Sequence, residues 1–244
     1  MASGRPRTQK SGSLLGAFIT FEGTEGSGKS TQCRRLARSL RAQGYQVLET
    51  REPGGTPLAE TIRKLLLPSS KPKGQAEPIT PACESMLILA ARSQHVTHVI
   101  QPALAKGIIV LCDRFFDSTL AYQGYARGLD KTFLNEAQRF ITKGLQPHLT
   151  FFLDLPIQDG LARRKRSKEQ NRLDHESLSF HQRVRQGFLA LAKEHPKRIK
   201  TVEARQSPHT LAAKIESMTE HIIHNKTSFC LARSSLKNKG LPRK

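Results

Sequence analysis

The 244-residue sequence predicts a three-layer α/β fold, a five-stranded parallel sheet flanked by helices. Three observations carry that expectation. Short apolar runs alternate with longer segments of helical period. Glycine-rich or charged residues follow directly on several of those runs, where open α/β sheets bind their ligands. No internal repeat and no Pro- or Gly-rich linker divides the body, and a chain of this length buries one sizeable core.

The candidate strands, in order, are Phe18 to Phe21, Val47 to Thr50, Ile108 to Cys112, Leu149 to Leu153 and Ile199 to Val202. Helical segments are expected over 29–43, 57–67, 83–106, 132–144, 156–166, 177–194 and 208–224, with a kink or break at Pro102. The irregular stretch from Pro68 to Pro81 reads as a surface connection. The body therefore spans 18–224, between a basic extension over 1–17 and a basic tail over 225–244. Both ends are rich in Ser, Gly, Lys and Arg and have little to bury, which reads as disorder.

Composition narrows the function. No stretch approaches the roughly 18 consecutive apolar residues of a membrane span. The opening MASGRPRTQKSGS lacks the apolar centre of a secretory signal. Cys33, Cys83, Cys112 and Cys230 lie far apart without a Cys-x-x-Cys pair, so they read as reduced cytoplasmic thiols rather than a zinc or redox site. A formal net charge of +20 invites a nucleic-acid reading, but nine of those charges sit in the two ends, leaving +11 on the body. Aromatics are 6% and tryptophan is absent, so platforms for stacking bases are scarce. The expectation is weak polyanion binding by the ends at most.

The segment Phe18 to Thr31 reads as a short strand, then Gly23-Thr24-Glu25-Gly26-Ser27-Gly28-Lys29-Ser30, then a helix. The spacing G-x-x-x-x-G-K-[ST] lets backbone N–H groups curl inward at phosphate oxygens, and the helix adds its positive N-terminal end. Lys29 is placed to reach the β- and γ-phosphates of ATP, and the Ser30 hydroxyl to ligate the Mg²⁺ that bridges them. The fold expected is thus that of the P-loop NTPases. The bland alternative, a Gly-rich turn, does not explain so specific a match. The GTPase sequence Asn-Lys-x-Asp and a strand-ending Asp-Glu pair are both absent, which moves the weight to small-molecule kinases.

A second anion site follows the second strand. Arg51 and Glu52 precede Pro53-Gly54-Gly55-Thr56, a tight turn opening a helix, and Arg51 offers a phosphate a bidentate fork. The third strand ends in Asp113-Arg114, where Asp113 is suited to the Mg²⁺ shell and Arg114 to clamping phosphate oxygens. A solvent arginine and a plain buried ion pair are the structural alternatives. The dense cations from Arg163 to Arg172 repel one another unless an anion joins them, which suits a mobile basic lid over about 163–177 closing on ATP. A solvated helix end is the alternative, above all for Lys165, Arg166 and Lys168.

These residues together resemble the thymidylate kinases of bacterial type. The resemblance rests on FEGTEGSGKST at 21–31, TREPGGTPLAE at 50–60, AARSQHV at 90–96, DRFFDSTLAYQG at 113–124, FLDLP at 152–156 and NRLDHESLSF at 171–180. It implies ATP:dTMP phosphotransfer, a homodimer, and roles for matching positions. Glu25 would lie close to the dTMP 3′-hydroxyl and the phosphate-bound metal, and Arg51 and Arg114 would hold the acceptor phosphate. Arg92 would reach an exocyclic oxygen of thymine, with Ser118, Thr119 and Gln123 completing the base pocket. Because the P-loop interior Thr24 to Ser27 holds no basic residue, the lid would supply the catalytic arginine, at Arg172. Arg163 and the turn Ala204-Arg205-Gln206-Ser207 would flank adenine.

The chain departs from the family pattern at three places. Ile88 stands where a phenylalanine usually stacks on thymine, Asn171 where an aspartate usually precedes the lid arginine, and both ends are basic. A kinase of another nucleoside monophosphate is the nearest alternative function, and a nucleic-acid-stimulated ATPase a more distant one.

Overall fold

The computed structural model describes residues 16–68, 77–166 and 171–237, without the side chains of 221 and 224–237. Expectations for 1–15, for 69–76 of the surface connection, for lid residues 167–170 and for 238–244 lie outside the described residues.

Five strands, β1 (Phe18–Glu22), β2 (Val47–Arg51), β3 (Ile109–Asp113), β4 (Leu149–Asp154) and β5 (Ile199–Glu203), form one sheet in the order β2-β3-β1-β4-β5. Every pairing is parallel. Alternation of side chains sorts the sheet into two faces. On one face Ile19, Phe21, Leu111 and Phe151 pack under α1 (Lys29–Ala42) and α9 (Pro208–Lys237). On the other, Phe18, Val110 and Cys112 meet Val96, Ile100 and Leu104 of the segment that continues α3 (Pro81–His95), while Phe152 meets α8 (Leu178–Glu194). These are the three layers expected, with α2 (Pro57–Leu66), α6 (Lys131–Thr142) and α7 (Ile157–Lys165) completing them.

Each strand ends one residue later than its apolar run. Backbone pairing continues through the polar residue that closes the run, as in Arg51↔Asp113 and Asp154↔Glu203, because ladder hydrogen bonds are indifferent to side-chain polarity. That extra residue aligns the polar groups along one sheet edge.

Three helical differences matter. The expected interruption falls just before Pro102: a π-turn segment, Val96–Ile100, links α3 to α4 (Gln101–Ala105), and the Gln101 N–H reaches back to Val96 O. A widened turn places the proline in the first turn of the next segment, where a missing N–H is tolerated. The segment after β3, which lies outside the expected helices, is helical as α5 (Phe116–Thr119) and a π segment, Leu120–Ala126. Finally, α9 runs on to Lys237, past the expected end at 224, as no glycine or proline falls between Pro208 and Gly240 to stop it. Among the described residues no helix is long and apolar enough to cross a membrane.

Candidate active site

The C-terminal edge of the sheet opens into a cavity of about 1090 Å³. The turn from Gly23 to Gly28 forms its floor, with Gly23, Thr24 and Ser27 building the loop from beneath. Gly26, at φ 72°, packs so closely on α7 that a Cβ there would lie 2.2 Å from Gly160 O, so backbone conformation and space both require glycine. Lys29 folds back over the turn, donating to Thr24 O at 2.7 Å and to Ser27 Oγ at 3.3 Å. Burial, and then the nearby Arg114 charge, pull the Lys29 pKa down to about 8. Ser30 and Thr31 face the cavity, and the Ser30 hydroxyl donates to Asp113 Oδ2.

Parallel pairing brings the second group of residues beside the first. Arg51 and Asp113 are ladder partners, and Asp113 is also paired with Phe21 of β1. Arg51 remains exposed and ion-paired with Glu60 at 3.1 Å. Arg114 takes a left-handed backbone, φ 71°, a conformation that costs a non-glycine residue about 1–3 kcal/mol and marks functional turns. The Arg114 N–H closes the turn on Phe21 O at 2.9 Å. Its guanidinium passes under the P-loop to Gly23 O and Glu25 Oε1, each at 3.0 Å, and to Ser118 Oγ at 3.2 Å. It also lies over the Tyr122 ring, 5.0 Å from the centroid.

Glu25 is buried, and burial alone would raise its pKa. Arg114, His181, Lys29 and the Tyr122 hydroxyl outweigh burial and hold it well below the usual carboxylate range. The Tyr122 hydroxyl donates to Glu25 Oε1 at 2.6 Å, while His181 Nδ1 stands 3.4 Å from Oε2, an ion-pair separation without hydrogen-bond alignment. Behind it, Glu22 accepts from the Phe115 N–H at 2.7 Å and from the Ser118 hydroxyl at 2.5 Å. Burial, then the Asp117 charge, raise the Glu22 pKa to about 8.

The opposite wall carries Ile88, Arg92, Thr119 and Gln123, all bordering the cavity with Ser118. Arg92 is 2% exposed and firmly held: Nε donates to Glu52 at 2.6 Å, Nη1 to Thr119 Oγ1 at 2.9 Å and Gln138 Oε1 at 3.2 Å, and Nη2 to Phe115 O at 3.2 Å. A guanidinium so fixed presents what remains of its Nη2 edge without a search among rotamers. Glu52, expected only as a neighbour of Arg51, is the buried counter-charge that makes this possible.

The lid is only partly assembled over this cavity. Arg163 borders it and donates to Gly26 O at 3.3 Å. Arg172, expected at the transferring phosphate, points elsewhere: it pairs with Glu84 of α3 and donates to Leu66 O at 3.2 Å. Among the described lid residues, the cations facing the cavity are Arg163 and Arg164, the latter ion-paired with Asp174 at 2.7 Å. Asn171 caps the short turn Arg172–His175, its Oδ1 accepting from the Leu173 N–H at 2.9 Å, a bond that aspartate would accept equally well. Ala204 and Gln206 do not border the cavity. Ala204 is buried at the end of β5, in a turn that meets α1 through the hydrogen bond from Gln32 Nε2 to Pro208 O. Sequence reasoning missed Tyr122, which stands inside the 113–124 motif, and His181, which directly follows the 171–180 motif.

A phosphate-cradling turn and a second cationic site, opening on one cavity at the sheet edge of this fold, define a P-loop kinase of small phosphorylated molecules. Comparison with known proteins narrows the class. The model of the family described as Thymidylate kinase matches residues 21–215. A thymidylate kinase of Synechococcus sp. (strain JA-2-3B'a(2-13)) is 51% identical over 203 residues, 83% of this chain and 94% of that protein. One from Thermomicrobium roseum is 52% identical over 196 residues, 80% of this chain and 90% of that one. A crystal structure of thymidylate kinase from Ehrlichia chaffeensis superposes with a TM-score of 0.65 at 33% identity, covering 84% of this chain and 98% of its own. The chain belongs to the thymidylate kinase family.

Proposed function

We propose that the chain phosphorylates dTMP by in-line transfer from ATP, with the two nucleotides end to end in the cavity above Lys29, Asp113 and Arg114. Kinase activity on dTMP with ATP as donor follows from membership of the family. The observation that carries the residue assignments is that one cavity is bordered by Lys29, Asp113, Arg114 and Gln123 together.

The acceptor phosphate is already anionic near neutral pH, so the protein need supply no general base. Its task is alignment and charge stabilisation. Lys29 meets the β- and γ-phosphates, and Arg51 and Arg114 hold the acceptor phosphate between them. Glu25 fixes Arg114 and faces the sugar 3′-hydroxyl. Arg172 leaves Glu84 when the lid closes and meets the transferring group, while Arg163 and the turn at Ala204 and Gln206 flank adenine. Ser30 and Asp113, a hydroxyl and a carboxylate already in contact, are hard oxygen donors suited to Mg²⁺. They would hold Mg²⁺ at this edge of the P-loop, where it would supply positive charge to offset that of the phosphates.

On the neighbouring helices α2, α3 and α6, the side chains of Leu58, Leu65, Met86, Phe133 and Phe140 are exposed, Phe140 at 85%. Such a concentration of large apolar side chains supports a homodimer through this face. Composition supports a cytoplasmic location.

The test is coupled ADP release with ATP·Mg²⁺ and each of dTMP, dUMP, dCMP, UMP, AMP and GMP, with and without DNA. Turnover confined to dTMP, with slower dUMP, is expected. Turnover with none of them, or only with DNA, overturns the reading.

A further inference from the structure

Glu84 lies in α3, outside every motif that pointed to the site, and is 2% exposed. Its two oxygens serve different elements. Oε1 accepts from Gln123 Nε2 at 2.7 Å, and Oε2 accepts from the lid residue Arg172. Arg127 lies behind both, with Nε 3.5 Å from Oε1 and Nη2 3.4 Å from Oε2. Burial alone would raise the Glu84 pKa, but the hydrogen bonds from Arg172 and Gln123 and the Arg127 charge outweigh it and keep the group ionised.

An ionised carboxylate accepts hydrogen bonds and cannot donate them. A glutamine amide, by contrast, presents a carbonyl or an NH₂ according to a half-turn about its last torsion, and the two orientations have nearly the same shape. Beside Glu84 one of them is excluded. Nε2 must face the carboxylate, which leaves Oε1 on the other end of the amide, in a side chain that borders the cavity. Among the described residues no hydrogen bond occupies that oxygen.

We propose that Glu84 is a positioning residue for base selection: it locks Gln123 as an acceptor, so the pocket takes a pyrimidine with a ring N–H and rejects one whose ring nitrogen is itself an acceptor. Thymine and uracil satisfy this, and cytosine does not. Because Arg172 uses Oε2 and Gln123 uses Oε1, the lid arginine departs for the phosphates without releasing the amide, and Arg127 remains as counter-charge.

The inference rests on the reading of Gln123 as base-facing, and calorimetric binding of dTMP and dCMP to the full chain, without ATP, separates the two. In wild type dTMP is expected to bind at least about 100-fold more tightly, since a polar mismatch is rejected far more strongly than a missing methyl. In Glu84→Gln the partner can donate or accept, Gln123 turns either way, and the ratio falls at least about tenfold through tighter dCMP binding. Glu84→Asp keeps an acceptor-only carboxylate and preserves the ratio even where both affinities fall. If the single variant does not fold, Glu84→Gln with Arg172→Gln removes one charge of each sign from the cluster and is read in the same way. A Glu84 that merely braces α3 weakens both nucleotides in proportion, so an unchanged ratio in Glu84→Gln, alongside a lost ratio in Gln123→Leu, overturns the inference. An unchanged ratio in Gln123→Leu overturns the base-facing reading of Gln123 itself.

Discussion

Lys29 and Arg114 stand on one side of the cavity, held by backbone carbonyls and by the buried Glu25. Arg163, Arg164 and Arg172 stand on the other, on a lid where the cations are half-buried or exposed and two of them rest on carboxylates, Asp174 and Glu84. Arg114 is braced from beneath the P-loop, so its field needs little reorganisation during transfer, whereas Lys29 would exchange its bonds to Thr24 and Ser27 for phosphate oxygens. Two of the second set, Arg164 and Arg172, rest instead on carboxylates that are themselves buried, so closure must exchange those ion pairs for contacts with the polyphosphate. Fixed charge and movable charge therefore divide the work between alignment and closure.

The largest effects should come from removing one charge of each kind. Lys29→Ala and Arg172→Ala are each expected to lower kcat by roughly 10³-fold or more while the circular dichroism stays that of the wild type. Near-wild-type turnover in Arg172→Ala would transfer the closing role to Arg163 or Arg164, which already border the cavity. A smaller effect is expected at the base: Ile88→Phe restores an aromatic face, worth about 0.5–1.5 kcal/mol, and should lower KM for dTMP by about 2- to 12-fold with kcat unchanged.

Lys29 offers a subtler contrast with the lid. With its pKa drawn down to about 8, ATP binding at pH 8 should take up about half a proton as the phosphates restore the ammonium. Titration calorimetry in buffers of different ionisation enthalpy reads this directly, and no uptake in wild type would mean that Lys29 is fully charged beforehand. The smallest effect concerns stability. Folded Glu22 keeps its proton up to about pH 8, whereas the unfolded carboxyl loses it near 4.5, so its contribution is complete below about 4.5 and is lost as pH rises through about 8. Glu22→Gln should flatten the fall of Tm across that window.

The phosphate cradle was legible because its function needs glycines, a lysine and a hydroxyl at fixed spacing within one turn. β1, β3 and β4 were legible as short apolar runs, and β2 and β5 from the apolar residues Val47, Leu48, Ile199 and Val202, although every expected strand ended one residue before the polar partner that the ladder includes. The helix after β3 was not legible. Its Phe116 to Ala126 segment is buried on several sides, so Asp117, Thr119 and Gln123 interrupt the apolar period that would have revealed it.

By itself the sequence determined the three layers and the P-loop, and it nominated the charges proposed to meet phosphate, since those depend on residue type and local spacing. Only the tertiary structure decided which carboxylate each cation answers to. Glu52 fixes Arg92, Glu25 fixes Arg114, and Glu84 gathers Gln123 and Arg172 from distant parts of the chain. The physical reason is that a buried charge is stable only beside a partner in space, and sequence distance carries no information about who that partner is.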